Sequence, residues 1–308
     1  MIEIRNFTKC YDNFVAVDNL SLTVEKGGIF GFIGPNGAGK TTTMRFLATL
    51  LRPTSGSARI DGVDVVADPV EARRRLGYMP DDYGVYDGMR VWEFLDFFGA
   101  AYGIERRQRR AVINDILVLM DLQYKRDAFV NTLSRGMRQR LCLAKTLVHD
   151  PPVLILDEPA SGLDPRARVE LKELLREFQS MGKTILISSH ILSELADSCT
   201  SIGIIERGRL LACGEVKAIM EKVRENVAVE VEVLESPEKA ERVLRNNPHV
   251  RKLRVDGKIL SFEFCARPEE LSRLHADFCQ AGVRLLWFRE QPASLEEAFM
   301  TITKGEVA

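Results

Sequence analysis

The sequence predicts an α/β domain with a largely parallel sheet, followed by a small α+β domain. Apolar runs of strand length recur along most of the chain with helical segments between them, a pattern typical of a parallel sheet covered on both faces. Several of these runs end in glycine, acidic or histidine residues, and sites in such sheets lie at the carboxyl ends of the strands. After residue 224 the pattern changes, and this change predicts the second domain.

The first strand–loop–helix unit carries a phosphate-binding pattern. The apolar run Ile29–Ile33 predicts a buried strand, a glycine-rich loop follows, and a helix is predicted over Met44–Leu51. The glycines let successive N–H groups converge on phosphate oxygens in front of a helix N-terminus. We therefore predict a bound nucleoside triphosphate, with Lys40 at the outer phosphates and the Thr41 hydroxyl on Mg²⁺. The predicted nucleotide-binding residues of this loop are Gly34, Pro35, Asn36, Gly37, Ala38, Gly39, Lys40, Thr41 and Thr42.

Two strands are predicted before this loop, over Ile2–Thr8 and Val15–Val24, because apolar residues alternate along both. Tyr11 lies between them. Its ring could stack on an adenine base, a contact that contributes about 1–3 kcal/mol elsewhere. An ordinary edge or core tyrosine explains it equally well, and both interpretations stay open. The elements predicted after the loop are a strand at Ala58–Ile60 with a hairpin at Asp61-Gly62, a helix at Val70–Arg75 and a strand at Leu76–Met79.

Two helices are predicted next, over Val91–Tyr102 and Ala111–Leu122. The first is rich in aromatic residues, which either line a docking surface for another protein or fill an interior. Ser134 is suited to a helix N-cap and predicts a helix from Arg135 to about His149. The aromatic residues are Trp92, Phe94, Phe97 and Phe98.

An acidic pair, Asp157 and Glu158, follows the apolar run Val153–Leu156. Two carboxylates at the end of a buried strand are costly without a cation or other partners. The pair therefore predicts a Mg²⁺ site. The next predicted elements are a helix at Arg166–Gln179 and a strand at Thr184–Ile187, which ends in Ser188-Ser189-His190.

Composition narrows the classes of function. The chain has 308 residues, of which 45% are hydrophobic, and a formal net charge of −1, so no nucleic-acid partner is expected. The clusters Arg73–Arg75 and Arg106–Arg110 are short and are interpreted as solvated helix faces. Six scattered cysteines indicate a reducing compartment. Without a signal-peptide pattern or a run of roughly 20 apolar residues, we expect a cytosolic chain that acts on membranes only through a partner.

The second domain is predicted from residue 225 to residue 308. Before it, a hairpin joins Ile202–Ile205 to Leu210–Cys213, and a helix runs over Glu215–Arg224. The strand–helix–strand–strand–helix–strand order beyond the boundary suits a ferredoxin-like unit. Its predicted elements are a strand with Val227, Val229, Val231 and Val233, a helix at Pro237–Arg245, a hairpin around Asp256-Gly257, a helix at Pro268–Gln280, a strand at Val283–Phe288 and a helix at Leu295–Ile302.

With these residues in hand, the chain resembles the ATP-binding cassette (ABC) subunit of an ABC transporter over roughly residues 2 to 220. The resemblance depends on motifs in the correct order: the phosphate loop, a signature, the Asp157-Glu158 strand, a D-loop and His190. It implies a P-loop NTPase fold for residues 1–224, with a helical subdomain at about 85–150. The tail resembles the C-terminal domain of some bacterial export-type cassettes. The signature residues are Ser134, Arg135, Gly136 and Met137, and the D-loop residues are Ser161, Gly162, Leu163 and Asp164.

In this family two cassettes face head to tail, and each ATP lies between one phosphate loop and the partner's signature. By resemblance, Ser134 and the N–H of Gly136 complete the γ-phosphate pocket of a second copy, since a helix start attracts anions. The resemblance also implies that Asp157 holds Mg²⁺ and that Glu158 deprotonates the attacking water. General-base catalysis is typically worth about 10²–10⁴ in rate. His190 would bond the γ-phosphate, and Lys40 would neutralise developing charge.

The chain departs from the family pattern at two places. Asp81 stands where the family usually has Gln, so it either contributes to the Mg²⁺ shell or turns into the groove for the membrane subunit. Arg135 and Met137 replace residues of the usual signature. Arg135 is expected to add a positive charge beside the transferred phosphate, whereas Met137 gives up a hydrogen-bonding amide.

The resemblance implies an ATP-hydrolysing subunit that energises transport, in the direction of export, as a homodimer beneath separate integral membrane permease subunits. It would be cytoplasmic and peripheral on the inner face of the cell membrane. Two alternatives stay open. One is a non-transport cassette ATPase acting on DNA or the ribosome, against which the single cassette and the near-neutral charge argue. The other, motivated by the altered signature, is a nucleotide-dependent regulatory binding module with weak turnover.

Overall fold

A computed structural model describes residues 1–82, 84, 86, 88–191, 198–223, 227–266 and 268–290. The chain divides into two compact units, residues 1–216 and 217–308. The boundary predicted near residue 225 falls at residues outside the described ranges and stays a prediction. The helix predicted over Leu295–Ile302 also lies outside the described residues.

The first unit contains an antiparallel sheet with the strand order β2-β1-β4-β5 and a six-stranded sheet with the order β10-β9-β3-β8-β7-β6. In the larger sheet, the strands from β9 to β6 run parallel, and β10 pairs antiparallel at one edge. The predicted parallel α/β core is thereby confirmed. The strands are β1 (Ile2–Tyr11), β2 (Phe14–Val24), β3 (Ile29–Ile33), β4 (Ser55–Ile60), β5 (Val63–Asp64), β6 (Leu76–Met79), β7 (Val153–Leu156), β8 (Thr184–Ser189), β9 (Ser201–Glu206) and β10 (Arg209–Glu215).

Burial on both faces explains the continuous apolar runs of the parallel strands. Every residue of β3, β7 and β8 is buried. Along β7, Val153 and Ile155 belong to the core cluster shared with the antiparallel sheet, whereas Leu154 and Leu156 belong to the cluster on the helical side. Alternate side chains thus serve opposite cores, as the two-residue period of a strand requires. The helices around these cores are α1 (Lys40–Leu47), α2 (Pro69–Arg74), α3 (Val91–Ala101), α4 (Arg106–Leu119), α5 (Arg135–Leu147) and α6 (Pro165–Ser180), and α7 (Val216–Val223) follows β10.

Helix α1 differs from its prediction at both ends. It starts at Lys40, directly after the left-handed Gly39, and the Thr43 hydroxyl donates to the Gly39 carbonyl at 2.9 Å. It ends before Thr49, whose φ of +62° is left-handed and cannot continue an α-helix. The predicted span Met44–Leu51 was therefore wrong at both ends, because the polar threonines of the first turn hide its start.

Helix α4 also starts earlier than predicted. Its first turn contains Arg106, so the basic cluster opens the helix rather than preceding it. The helix ends at Leu119, short of the predicted Leu122, because Asp121 is left-handed with a φ of +52°. The inward stripe of Ile113, Ile116 and Leu117 is buried, and the arginines lie mostly on the exposed side.

The aromatic residues of α3 divide between the two interpretations offered above. Phe94 is fully buried in the helical core. Phe97 is 46% exposed and lies edge-on to the ring of Tyr86, with 5.7 Å between their centroids. The helix therefore fills an interior with one face and leaves an aromatic surface on the other.

In its described residues, the second unit contains a four-stranded antiparallel sheet with the order β12-β13-β11-β14. Val229, Val231 and Val233, the alternating valines, all lie in its buried core together with residues of both helices. The predicted strand–helix–strand–strand–helix–strand order is present, while the ferredoxin-like assignment stays a prediction. The elements are β11 (Val227–Val233), α8 (Pro237–Asn246), β12 (Val250–Asp256), β13 (Ile259–Phe264), α9 (Pro268–Gln280) and β14 (Leu285–Glu290).

Candidate nucleotide-binding site

The phosphate loop connects β3 with α1 and depends on glycine for its close packing. The N–H of Gly34 donates to the carbonyl of Ser189 at 3.2 Å. A Cβ at Gly34 would lie 2.2 Å from the Ile205 carbonyl oxygen, and one at Gly39 would lie 2.7 Å from that of Ala16. Backbone atoms cannot withdraw as a flexible side chain can, so these two positions exclude any larger residue.

Lys40 is held by the loop that carries it. Its side chain is buried, and its ammonium donates to the carbonyls of Gly34 at 2.6 Å and Pro35 at 3.1 Å. The same nitrogen lies 3.3 Å from Oε1 of Glu158. The lysine predicted to reach the outer phosphates is therefore fixed between the loop and the acidic pair, with Glu158 as its counter-charge.

Asp157 is completely buried at the end of β7. Its Oδ1 accepts a 2.7 Å hydrogen bond from the Ser188 hydroxyl, which in turn accepts one of 2.8 Å from the N–H of Glu158. Burial raises the pKa of Asp157, and the charges of Asp81 and Glu158 add to the rise, whereas the hydroxyls of Ser188 and Thr41 oppose it. A cation would stabilise the charged form of this carboxylate.

The oxygens around Asp157 fit Mg²⁺. Oδ2 of Asp157 is buried and has no hydrogen-bond partner, and the Thr41 hydroxyl is close enough to lower the pKa of this carboxyl. Within the described ranges, no group of three or more His, Cys, Asp or Glu side chains could hold a metal ion. A site with few protein ligands suits Mg²⁺, which typically uses one or two protein oxygens and completes its shell with water and substrate phosphates.

Glu158 lies between two basic side chains. Its Oε2 is 2.8 Å from Nδ1 of His190, while Oε1 faces the ammonium of Lys40. The backbone of Glu158 is left-handed, with a φ of +49°, a conformation that is uncommon for non-glycine residues. The predicted base, switch histidine and phosphate-loop lysine thus meet at one carboxylate.

A cleft of about 250 Å³ opens in front of the phosphate loop. Tyr11 is 43% exposed at its margin, and the ammonium of Lys9 lies 5.0 Å from the centre of its ring. Asp81 is exposed and lines the same cleft. Residues predicted from distant parts of the sequence are therefore brought together, although the roles of Tyr11 and Asp81 stay predictions. The cleft is lined by Tyr11, Phe14, Ala16, Asn36, Gly37, Ala38, Gly39, Lys40, Thr41, Thr42, Asp81 and Glu158.

The signature and the D-loop meet elsewhere, in a pocket of about 460 Å³ that shares no lining residue with the first cleft. Ser134 caps α5, as predicted, by accepting from the N–H of Met137 at 3.3 Å. Asp164 caps α6 by accepting from the N–H of Ala167 at 2.8 Å. Arg135, which the sequence analysis expects to add a positive charge beside the transferred phosphate, is exposed, and that role stays a prediction. Its guanidinium binds the carbonyl of Ser161 at 3.1 Å.

Comparison with known proteins places this geometry in a family. A family model described as ABC transporter matches residues 17–161. The Nod factor export ATP-binding protein I of Mesorhizobium japonicum is 35% identical to this chain over 99% of the chain and 87% of the relative. The chain belongs to the ABC transporter family. It is an ATP-binding subunit of that family and an ATPase.

Solved structures agree with this ABC subunit in fold. A structure described as the ATP-binding subunit of an ABC transporter shares 29% identity and a TM-score of 0.66, covering 72% of this chain and 92% of its own. CbiO1 of Clostridium perfringens, described as part of the ABC transporter complex cbiONQ, shares 25% identity and a TM-score of 0.66, covering 73% and 93% respectively. Among the described residues, no helix combines the length and apolar character needed to cross a membrane.

Two residues of the ABC site escaped the sequence analysis. Ser188 forms a hydrogen bond with each member of the acidic pair. Its role could have been found by pairing the two predicted strands, because Leu156 of β7 lies opposite Ile187 of β8. The residues that follow each strand are consequently neighbours. Phe14 is 63% exposed and pairs with Tyr11 across the β1–β2 hairpin, which puts a second aromatic ring at the cleft.

Replacing Ser188 by Ala should slow hydrolysis more than it weakens ATP binding. The change removes the hydrogen bond to the Asp157 carboxylate and the one accepted from the Glu158 N–H. A hydrogen bond to a charged group contributes about 1.5–3 kcal/mol. We therefore expect kcat to fall about 10–100-fold. The measurements are steady-state phosphate release and titration with fluorescent ATP. Ser180→Ala, which alters an exposed hydroxyl at the end of α6, is the matched control. A parental kcat for Ser188→Ala would contradict the assignment.

Proposed function

We propose that this ATPase energises export through separate membrane subunits and works as a head-to-tail homodimer closed by ATP. One observation carries the dimer proposal: the signature lines a pocket that shares no residue with the phosphate-loop cleft of the same chain. Ser134 and Gly136 begin helix α5 there, and a Cβ at Gly136 would meet no atom within 4 Å. An open helix start of this kind suits a phosphate supplied by a second copy.

The direction of transport is proposed from the relative described above. That protein is called a Nod factor export ATP-binding protein, and its similarity extends over 99% of this chain, the second unit included. The Clostridium protein is described as part of a transporter complex. We infer that this chain likewise serves an export complex, on the inner face of the cell membrane.

The contacts of the phosphate-loop site support a specific division of roles. Asp157 and Thr41 would hold Mg²⁺, which supplies charge neutralisation at the phosphate oxygens when bound. Glu158 takes the proton of the attacking water, and His190, hydrogen-bonded to Glu158, orients that water and the γ-phosphate. Lys40 exchanges its loop carbonyls for phosphate oxygens and stabilises the charge that develops in the transition state. Asp81 is proposed as an outer contributor to the metal shell.

The exposed aromatic rings beside α3 are the proposed contact with the membrane subunits. Tyr86 and Phe97 are 51% and 46% exposed and lie against each other. Tyr86 follows Asp81 in the connection between β6 and α3, and Phe97 lies in α3 itself. Aromatic rings on a surface are enriched at protein interfaces.

Glu158→Gln tests turnover and dimer formation together. The amide cannot accept the proton of water, so we expect ATP binding to persist while kcat falls by about 10²–10⁴. The uncleaved ATP should hold the dimer together. Phosphate release gives the rate, and light scattering after gel filtration with ATP and Mg²⁺ gives the mass. Glu173→Gln, on the exposed side of α6, controls for the loss of a carboxylate.

Two results would count against this proposal. Parental hydrolysis by Glu158→Gln would exclude Glu158 as the base. A variant that binds ATP, does not turn over and remains a monomer at every protein concentration would remove the head-to-tail dimer. Binding without turnover in the parent chain would favour the regulatory module considered above.

Asp81→Ala should raise the Mg²⁺ concentration at which hydrolysis is half-maximal, because a carboxylate near the metal is lost. We expect a shift of about threefold to tenfold, the effect of outer-shell ligands being of the order of 10–100-fold at most. The measurement is ATPase activity against free Mg²⁺. Asp82→Ala removes the neighbouring exposed carboxylate, which does not line the cleft, and should leave the titration at its parental midpoint. Equal midpoints for Asp81→Ala and the parent would remove Asp81 from the metal shell.

Phe97→Glu should release the subunit from its membrane partners without affecting its own ATPase activity. The new carboxylate would be buried among aromatic rings at the contact with the membrane subunit, where neither water nor a basic side chain compensates for its charge, so binding should weaken. When the tagged chain is purified from detergent-solubilised membranes, we expect about tenfold less integral membrane protein to accompany the variant. Val118→Glu alters a 59% exposed apolar residue on α4 and should retain the partner. Equal recovery with Phe97→Glu would exclude this surface.

A further inference from the structure

Arg135 joins the signature to the D-loop within one chain. It is the first residue of α5, and its Nη2 donates to the carbonyl of Ser161 at 3.1 Å. The nearby arginines of the same helix contact other groups: Arg138 donates to the carbonyl of Leu133, and Arg140 pairs with Glu170. The contact between the signature and the backbone of the D-loop is thus made by Arg135.

Gly162 leaves room for the guanidinium of Arg135 because it has no side chain. A Cβ on Gly162 would lie 2.2 Å from Nη2, 2.4 Å from Cζ and 2.5 Å from Nη1 of Arg135. The guanidinium therefore occupies the space into which a side chain at this position would project. Gly162 also has a left-handed φ of +66°, so both its conformation and its missing side chain serve this position.

The D-loop continues directly from the acidic pair. The N–H of Ser161 donates to the carbonyl of Glu158 at 3.0 Å, and that of Leu163 donates to Ala160 at 3.3 Å. Ser161 is thus bonded to Glu158 through its N–H and to Arg135 through its carbonyl. Two hydrogen bonds across a single residue connect the start of the signature helix to the residue proposed as the base.

We propose that Arg135 is a positioning residue that clamps the D-loop and couples the signature of one copy to the base of its own ATP site. The inference depends on the proposed head-to-tail dimer, in which the signature binds the partner's ATP. The partner's phosphate would bind at the first turn of α5, and Arg135 belongs to that same turn. Through Ser161 that turn is connected to the backbone of Glu158, so occupation of the partner's site favours one geometry of the base.

The first test is amide hydrogen exchange of Arg135→Ala without nucleotide. Removing the clamp should speed exchange at the amides of residues 161–163 about tenfold, since a hydrogen bond to a charged group is lost. Exchange in β7 and β8 should be unchanged. This measurement involves neither hydrolysis nor a second copy, so it tests the clamp independently of the proposed function.

The second test is the dependence of hydrolysis on ATP concentration. Two coupled sites can give a Hill coefficient of up to about 2. We expect Arg135→Ala to lower the Hill coefficient towards 1 and to reduce kcat about tenfold, with ATP binding to the isolated chain unaltered. A merely structural role would change stability without changing cooperativity. Arg135→Lys keeps the charge but not the planar contact and should fall between the parent and Arg135→Ala.

Arg166→Ala and Gly162→Ala complete the design. Arg166 lines the same pocket, its side chain is 91% exposed, and it pairs with Glu170. Its removal should leave exchange at 161–163 and the Hill coefficient unchanged. Gly162→Ala should perturb both, and its effect should be smaller when Arg135 is already Ala, because the steric conflict with the guanidinium has gone.

The results separate the possible failures. Unchanged exchange at 161–163 in Arg135→Ala, or strictly additive effects of the Arg135 and Gly162 changes, would overturn the clamp. Weaker ATP-dependent dimerisation with normal exchange and cooperativity would overturn it as well, since Arg135 would then act on the partner's phosphate. If the parent chain does not dimerise or hydrolyse ATP, faster exchange in Arg135→Ala still supports the clamp, and the proposed function alone fails.

Discussion

The buried carboxylate of Asp157 is the constraint that organises the ATP site. Removing a carboxylate from water is expensive unless other groups compensate for the lost hydration. The Ser188 hydroxyl compensates at one oxygen, and the second oxygen, which has no hydrogen-bond partner, is the proposed ligand of Mg²⁺. β8 lies between β3 and β7, so its carboxyl end reaches both neighbours. Ser188 holds the acidic pair, and the carbonyl of Ser189 holds the N–H of Gly34. The strand order therefore places the phosphate loop and the proposed metal site at the same edge of the sheet.

The parts of this architecture that depend on local pattern could be predicted from the sequence. The parallel core followed from the apolar runs of β3, β7 and β8, which are buried on both faces. The glycines of the phosphate loop and the N-cap at Ser134 are likewise local features. In the second unit, the alternation of valines along β11 gave the buried face directly.

The features that were missed or misplaced depend on tertiary neighbours or on polar residues inside regular elements. Ser188 gains its role only from the strand next to it, and the ring of Phe14 gains its place from the hairpin register. The start of α1 was predicted too late because its first turn contains threonines in place of the apolar residues whose spacing indicates a helix. The hydrogen bond from Arg135 to the D-loop was also missed. Its acceptor is a backbone carbonyl 26 residues away, and no local sequence pattern indicates that pairing.

The fixed position of Lys40 affects the thermodynamics of nucleotide recognition. Immobilising a lysine side chain costs up to about 2 kcal/mol of rotamer entropy. Here two carbonyls and Glu158 already confine the side chain within the protein, so most of this entropy is lost during folding and little remains to be lost upon association. In contrast, the ammonium must give up some of these three contacts before it can contact the phosphate, so the new contacts only replace old ones. We therefore expect the preorganised Lys40 to favour triphosphate binding through a small entropic cost. Its contribution to the binding enthalpy should be smaller than that of a flexible surface lysine, because its ammonium replaces existing partners with phosphate oxygens.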